Sequence, residues 1–546
     1  MDGTETVELA ALEKLVARVT QERDRVVKER DRAAHERNEY KKLYELASIE
    51  LDRLRRHVFG QRAEHVDPGQ MQLAFEAVTK LLSTPTTPDG ETADSPPPAP
   101  PPNPPPGQGQ KGSKRTGHGR QTLPEHLPVE RIELLPLEAQ GDEGKHLVRI
   151  GEEVTETLEW RTGSFVRVQI VRPKFAVKGE PERGVVIAPV AEAPIPRSLA
   201  APGLLAYVLV SKFADHLPLH RLEGIVARQG VTLARSTLCG WVEACATLLS
   251  VLVEAMAKDA LKAHCIAMDA TGVLVQNKER CRRGHFWVLV ADRDHVLFRF
   301  TPKHNREGPK SFLRGYTGYV QADAASVYDE LFRSEQVTEV GCWAHCRRGF
   351  FEAMGSDRER ARVALGFIQK LYAIDVQTRD LPPAQRTAQR RQRAEPLLTA
   401  LHGWLEAESL MVLPRSPIAG AIGYALNQWS ALCRFLDDGR LRLDNNRSEL
   451  ELRRQAVGRK NWLFVGSDDG AEWNAIVVSL IASCALHGLE PWSYLRDVLI
   501  LLPGWSRDRV LELSPKHWKQ TLEQTDARQR LADSPWRRAT TAPLRS

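Results

Sequence analysis

The stretch HCIAMDATGVLVQ (264–276) decides the fold, because it is an apolar strand pattern that carries an acidic residue, Asp269, in its middle. Further strand patterns follow in HFWVLVADRDHVLFRF (285–300), which bends at 292–294, in GYVQADAASVYDEL (318–331) and in VTEVGCWAHCRRGFFEA (337–353). The last two run on into helical patterns. Strands that alternate with helices in this order predict an α/β sheet with helices on both faces.

Two carboxylates in these strands indicate a metal site. Asp269 lies within a predicted buried strand and Asp323 at the end of another, where a carboxylate must be compensated. A hard divalent cation such as Mg²⁺ is a natural compensation, since it binds oxygen ligands. Two such ions about 4 Å apart can activate a nucleophile and stabilise the leaving oxygen of a phosphodiester. Taken singly, each aspartate is explained better as a strand-end cap or a salt-bridge partner, and only the combination favours a metal site.

A third acid lies far downstream, in LRLDNNRSELELRRQAVGRKNWLFVGS (441–467). Asn446 resembles a helix N-cap with Glu449 three residues later, which is the pattern of a capping box. Alternatively, Glu449 lies on the helix face turned to the sheet and completes the metal site. Glu451, two residues later, points to nearly the opposite side. Arg453 could pair with Glu449 or hold a DNA phosphate, and spacing alone does not decide.

Length and composition set broad limits. The 546 residues predict three to five structural units. A content of 42% hydrophobic and 27% charged residues is typical of soluble domains with hydrophobic cores. No apolar run approaches the roughly 20 residues that a membrane-spanning helix needs, so we expect no membrane protein. The acidic N-terminus lacks an apolar segment, which argues against a secretory signal. Eight scattered cysteines favour a reduced, cytoplasmic protein over a disulfide scaffold.

Residues 5–57 predict one long helix with a seven-residue apolar repeat, the pattern of a coiled coil that pairs two or more subunits. A long solvated single helix remains the alternative. The repeat consists of Leu12, Val19, Val26, Ala33, Tyr40, Ala47 and Leu54. A basic end suited to phosphates follows, with Arg53, Arg55, Arg56 and Arg62. Eleven prolines from Pro85 to Pro106 then predict an extended linker, which ends in a basic arm with Lys111, Lys114 and Arg115.

Strand patterns at 154–160, 164–177 and 184–190 predict a small β module. A helical block follows, in which two amphipathic stretches within 217–245 are separated by Gly230 and Val231. This spacing is typical of a helix-turn-helix, with Ser236 as the cap of the second helix. Arg235, Ser236 and Thr237 would then begin a DNA-recognition helix. An ordinary αα-hairpin gives the same pattern.

These segments resemble the large catalytic protein of the insertion sequence 66 family of bacterial transposases, from roughly residue 50 to residue 503. The matching blocks are LRRHVFGQRAE, RPKFAV, LPLHRLEGIVARQGVTLARSTLCGWV, MDATGVLV, GYVQADAASVYDELF, GCWAHCRRGFFEA, LDNNRSELELRRQAVGRKNWLFVGS and SLIASCALHGLEPWSYLRDVL. The resemblance implies an RNase H-like catalytic domain with a DDE triad, carried over to Asp269, Asp323 and Glu449. The gaps of 54 and 126 residues leave room for a helical insertion at about 354–440.

The resemblance also covers a C-x-x-H pair, Cys342 and His345, for which we expect structural support of the active site. A zinc site is not expected there, because these two and Cys346 lie within one helical turn and lack a fourth ligand. Members of the family usually carry a zinc-ribbon module after the linker. Residues 121–190 contain no cysteine, so zinc dependence does not carry over.

The fold class expected is therefore multidomain α/β. Its predicted parts are a coiled-coil helix with a basic end (1–65), a helical remnant with a Pro-rich and basic linker (66–120), a small β module (121–190), a helix-turn-helix-like block (191–262), an RNase H-like catalytic domain with a helical insertion (263–490), and a C-terminal helix and tail (491–546).

The function expected is that of a DNA transposase of the bacterial cytoplasm and nucleoid, with two Mg²⁺ ions, for which Mn²⁺ can substitute. Its expected partners are terminal inverted repeats and target DNA, a second copy of the chain, and accessory proteins of the same element. Near Glu449 the DNA backbone would meet Arg447, Arg453, Arg454, Arg459 and Lys460. Trp462 and Phe464 could stack on a frayed base or belong to the core. The alternatives are a catalytically inactive DNA-binding regulator and, last, a coiled-coil scaffold.

Overall fold

The computed structural model describes residues 123, 125, 127–140, 147–161, 163–178, 185–278, 280–333 and 336–541. All of them belong to one compact unit, Thr116–Ser546. The predicted coiled coil (1–65) and the linker (66–120) lie outside the described residues, and so do their basic residues Arg53, Arg55, Arg56, Arg62, Lys111, Lys114 and Arg115.

The β module is a four-stranded sheet that forms without cysteine ligands. Its strands are β1 (Val129–Glu133), β2 (Leu147–Arg161), β3 (Ser164–Val177) and β4 (Val185–Ile187), and β3 pairs with all three others. Alternate side chains of β3 enter two cores, as the two-residue period of a strand requires. Phe165 packs into the main core, whereas Val166 and Val168 pack against Trp536 near the C-terminus.

Three helices follow: α1 (Pro202–Phe213), α2 (Leu219–Ala227) and α3 (Arg235–Ala260). The prediction that Ser236 caps α3 is wrong. The helix begins at Arg235 after Ala234, and no side chain caps it, so Ser236 lies in the first turn. Arg235, Ser236 and Thr237 are all exposed there.

Helix α3 also corrects the expectation that no apolar run is long enough to span a membrane. By length and composition alone its 26 residues could do so. In this fold it is a core helix, with Leu238, Leu249, Leu252 and Met256 fully buried. Its 26 residues also carry Glu243, Glu254, Lys258 and Asp259.

The larger sheet has six strands in the order β7-β6-β5-β8-β9, with β10 paired to the end of β5. The strands are β5 (Cys265–Val275), β6 (Arg282–Ala291), β7 (His295–Thr301), β8 (Gly318–Gln321), β9 (Val337–Val340) and β10 (Phe464–Val465). Strands β5, β8 and β9 run parallel, whereas β6 and β7 form an antiparallel hairpin on β5. The hairpin turns at Asp292, whose φ is 47°. The short helices α4 (Glu307–Phe312) and α5 (Asp329–Phe332) flank β8.

Between β9 and the last acid the chain is helical. The helices are α6 (Trp343–Ala353), α7 (Arg358–Gln377), α8 (Pro383–Ser409), α9 (Pro417–Asn427) and α10 (Trp429–Cys433), and they share a core of their own. Arg390 is fully buried among them and donates to the backbone oxygens of Phe435 and Leu441, each at 3.0 Å. It therefore fixes the end of this helical region against the segment that leads to Glu449.

The remaining helices are α11 (Asn446–Trp462), α12 (Asp468–Leu486), α13 (Pro491–Leu501), α14 (Trp518–Glu523), α15 (Thr525–Asp533) and α16 (Pro535–Thr541). Where we expected one C-terminal helix and a tail, the chain forms four helices. Helix α11 packs on β5 and β6, and α12 packs on β7. Ser479 and Ser483 of α12 accept the backbone N–H groups of Phe298 (2.7 Å) and Val296 (3.0 Å), so the edge strand β7 is hydrogen-bonded and covered.

Candidate active site

Asp269 lies in the middle of β5, as predicted, opposite Val288 of β6. Its Oδ1 accepts the backbone N–H of Ala270 at 2.7 Å. Burial, together with the negative charges of Asp323 and Glu449, raises the pKa of Asp269 to about 7. A nearby cation would stabilise the ionised form of a carboxylate in this environment.

Asp323 reaches the same level of the sheet through strand register. Ala267 of β5 pairs with Gln321 of β8, and each aspartate follows two residues later. Burial raises the pKa of Tyr328 well above its ordinary value, with further increases from Asp323 and Asp269. The two aspartates therefore act on the same buried tyrosine.

Glu449 lies in the first turn of α11. Its Oε1 is 3.5 Å from Nε2 of His345 and its Oε2 is 3.6 Å from Nη2 of Arg348, both on α6. Arg348 also lowers the pKa of Asp269, against the larger effect of burial. The Oε1 atom is buried and accepts no hydrogen bond.

The capping-box interpretation of Glu449 does not hold. The N-cap residue is Asn445, not Asn446, and no side chain caps the helix. Glu451 pairs with Arg454 at 2.7 Å instead of joining Glu449. Glu449 is thus the acid of this helix whose charge acts on Asp269.

Sequence analysis missed Asn445, which holds this end of α11 in place. Its side-chain amide donates to the backbone oxygen of Met268 at 2.7 Å, and its backbone N–H donates to Sγ of Cys342 at 3.3 Å. Both Asn445 and Cys342 are almost fully buried. The Asn445-Asn446 pair ahead of the helix was the available signal, but spacing could not tell which asparagine faces inward.

The predicted DNA-binding residues of α11 are not equivalent. Arg453 and Lys460 are exposed, whereas Arg454 pairs with Glu451. Arg459 donates to Oγ1 of Thr271 at 2.9 Å and also to the backbone oxygen of Gly272. Its guanidinium is therefore directed toward β5.

The two aromatic residues after this helix also differ. Trp462 packs against the main core, while Phe464 is 41% exposed.

The acids fit a divalent cation by their chemistry: the charges of Asp323 and Glu449 both act on Asp269, and Glu449 has a buried oxygen without a hydrogen bond. Within the described ranges, however, no group of three or more His, Cys, Asp or Glu side chains is arranged to hold a metal ion. Glu449 is directed instead to His345 and Arg348.

Comparison with known proteins gives consistent matches along the chain. Residues 197–473 match the family described as Transposase IS66 family. Residues 48–132 match "Transposase C of IS166 homeodomain", and residues 479–515 match the IS66 C-terminal element. The first match contains all three acids and the helical region between them.

Similar full-length relatives occur in Sinorhizobium fredii. "Uncharacterized protein y4hP" is 30% identical over 511 residues, which cover 87% of this chain and 89% of the relative. "Uncharacterized protein y4qI" is 30% identical over 504 residues, with 88% and 90% covered. "Uncharacterized protein y4jD" is 28% identical over 500 residues, with 86% and 94% covered.

Proposed function

The chain belongs to the IS66 family of transposases, and from this premise we propose that it cleaves and joins DNA through Asp269, Asp323 and Glu449. The observation that carries the proposal is the electrostatic effect of two of these acids on the third. Although 54 and 126 residues separate them in sequence, the charges of Asp323 and Glu449 both act on the half-buried Asp269.

The proposed catalytic domain is RNase H-like. The strand order β7-β6-β5-β8-β9, with an antiparallel hairpin on one side of β5 and parallel strands on the other, supports this assignment. Asp269 is on the central strand, Asp323 follows the adjacent parallel strand, and Glu449 is on the helix that packs against β5. The helical region between β9 and α11 is the proposed insertion.

In the proposed reaction, water breaks a phosphodiester at each end of the element and leaves a 3′-hydroxyl. That hydroxyl then attacks a phosphodiester of target DNA, and a 3′-oxygen of the target leaves. The three acids would hold two Mg²⁺ ions, or Mn²⁺ in their place. Bound there, the ions would stabilise the charge on the attacking and leaving oxygens.

The protein's own residues prepare the site. Asn445 fixes the first turn of α11 against the backbone beside Asp269. His345 and Arg348 lie beside the carboxylate of Glu449, with Nε2 of His345 at 3.5 Å and Nη2 of Arg348 at 3.6 Å. Arg453 and Lys460, both exposed on α11, are the proposed contacts of this helix with the DNA backbone.

The direct test uses the full chain and duplexes that carry the ends of the element, taken from the DNA that flanks the gene. Strand cleavage and joining are expected with Mg²⁺ or Mn²⁺ and are abolished by a chelator. Asp269→Asn and Asp323→Asn should reduce both steps to background. Asp329→Asn, an exposed acid six residues beyond Asp323, is the matched control and should retain activity. Wild-type activity from Asp269→Asn would overturn the assignment.

A second function, a DNA-binding regulator without catalysis, is favoured by one observation. Glu449 lies beside His345 and Arg348, and no three acids are arranged around a common ion within the described residues. This alternative predicts binding to the element's ends with no nicking at any Mg²⁺ concentration. Metal-dependent cleavage would eliminate it.

A further inference from the structure

Three arginines without an acidic partner converge on the turn between β6 and β7. Arg293 lies in that turn, Arg442 lies four residues before α11, and Arg447 lies in the first turn of α11. Nη1 of Arg447 donates to the backbone oxygen of Asp292 at 3.3 Å, which brings its guanidinium against the turn. Burial lowers the pKa of Arg442, and the charge of Arg293 lowers it further. The three positive charges therefore repel one another.

The acids in this neighbourhood are already engaged with other groups. Two of these acids accept backbone N–H groups: Asp292 from His264 (2.8 Å) and Cys265 (3.1 Å), and Asp444 from Asn446 (3.3 Å). The other three form ion pairs: Asp438 with Arg440 (2.6 Å) and His264 (3.2 Å), Asp375 with Arg386 (2.8 Å) and Arg390 (2.5 Å), and Glu451 with Arg454 (2.7 Å). Within the described part of the chain, none of the three arginines forms an ion pair with an acid. Their charge is left for a ligand from outside.

A phosphate group is the ligand that fits this arrangement. Guanidinium groups present several N–H donors in a plane and bind phosphate oxygens in pairs of hydrogen bonds. The backbone N–H groups at the start of a helix also favour an anion, and Arg447 belongs to the first turn of the 17-residue helix α11. A phosphate would remove the repulsion among the three arginines.

We propose that Arg293, Arg442 and Arg447 form a binding site for the phosphodiester backbone of duplex DNA, separate from the three carboxylates. The proposal rests on the proposed function, because that function supplies the DNA. Arg447 precedes Glu449 by two residues, so the two side chains leave α11 about 200° apart around the same turn. The arginine site and the carboxylate site therefore lie on different sides of the first turn of α11, so a phosphate bound by the arginines is not one bound at the carboxylates.

The test measures the affinity of the full chain for duplex DNA at several salt concentrations. Each phosphate contact contributes about 0.9 to the slope of log K against log salt. The double variant Arg293→Gln/Arg442→Gln removes two of the three charges and should reduce that slope by about 1 to 2. The control Arg358→Gln/Arg379→Gln removes two exposed arginines of the helical region, which also lack an ion pair among the described residues. It should leave the slope unchanged.

Rescue and folding controls accompany these measurements. Arg293→Lys/Arg442→Lys keeps both charges and should restore the slope of the unaltered chain, and the thermal midpoint of each variant reports whether it folds.

The outcomes separate this inference from the proposed function. A smaller slope for the glutamine variant, with the control and the lysine variant unaffected, supports the arginine site even if no cleavage is ever detected. Equal slopes for the glutamine variant and the unaltered chain overturn the site and leave catalysis to be judged separately. If the unaltered chain binds no duplex DNA, both proposals fail.

Discussion

The side-chain amide of Asn445 donates a 2.7 Å hydrogen bond to the backbone oxygen of Met268, the residue before Asp269. The bond joins positions that are 177 residues apart and lies in the buried interior. It ties the start of the helix that carries Glu449 to the strand that carries Asp269. The geometry of the candidate site therefore depends on a residue that is not itself an acid.

Replacement of this amide should disturb catalysis more than DNA binding. In Asn445→Ala the carbonyl of Met268 loses its donor in a buried place, which costs about 1–3 kcal/mol of folding stability. Because α11 is no longer fixed against β5, we expect strand cleavage to fall at least about tenfold, as small displacements of catalytic groups produce losses of that order or more. Cleavage and duplex affinity are measured on the same preparation.

The matched control is the neighbouring exposed Asn446. Asn446→Ala should keep both cleavage and stability near those of the unaltered chain. If the two alanine variants cleave DNA equally well, Asn445 has no positioning role.

The two glutamates of α11 should differ sharply. Glu449→Gln removes a charge that acts on Asp269, so we expect cleavage to fall to background while duplex affinity is retained. Glu451→Gln removes only the pair with Arg454 and should cleave nearly normally. Cleavage rates at saturating Mg²⁺ check the difference, and a Glu451→Gln variant as inactive as Glu449→Gln would contradict the proposed triad.

Glu159 should make folding stability depend on pH. It is fully buried, and its carboxylate accepts the backbone N–H groups of Trp160 (2.7 Å) and Gly203 (3.0 Å). Burial raises its pKa from 4.5 to about 8, although these hydrogen bonds and the charge of Arg496 lower it. An acid with a raised pKa in the folded state contributes stability below its unfolded pKa, and that contribution is lost as the pH rises toward 8.

The free energy of unfolding should consequently fall by about 2 kcal/mol between pH 6 and pH 8 on account of this residue. Glu159→Gln cannot ionise, so its stability should fall less over the same interval. Urea unfolding of both proteins in the presence of a chelator measures the difference. Parallel stability curves would show that Glu159 is not protonated in the folded protein.

The heptad repeat of the N-terminal region should control the oligomeric state. Val19→Asp/Val26→Asp places charges on the predicted apolar stripe and should dissociate the oligomer, because a buried unpaired charge is strongly unfavourable. Lys28→Asp, which lies off the stripe, is the control. Light scattering of the full chain measures the mass of each variant. If the double variant has the same mass as the unaltered chain, the repeat does not pair subunits, as expected for a solvated single helix.

Local patterns were sufficient for many elements and failed for others. The strand that carries Asp269 was predicted correctly, because an apolar run bounded by turn residues has few alternatives. The cap of α3 was predicted two residues late, since Ser236 is a common cap whereas Ala234 gives no signal. The expectation that no apolar run is long enough to span a membrane was also wrong, because α3 passes that test although Glu243 and Glu254 interrupt it.

The candidate site divides in the same way. Asp269, Asp323 and Glu449 were chosen from residue type and from a family resemblance, and that resemblance extended to His345. Neither indicated that Arg348 lies beside Glu449, because side chains of different helices become neighbours only through packing. The choice between Asn445 and Asn446 as the inward residue likewise required the position of α11 on β5.

By itself, the sequence determined some of the strands and helices, among them the strand that carries Asp269, since those preferences depend on side chains within a few residues of one another. It also determined membership of the family, through motifs spread over most of the chain. The tertiary structure alone decided which charges are neutralised and which are left over. Arg459 can bond to Thr271 only because the packed chain brings together residues that are more than a hundred positions apart. Arg442 lacks an acidic partner because the nearby acids are already bonded to other groups in the packed chain.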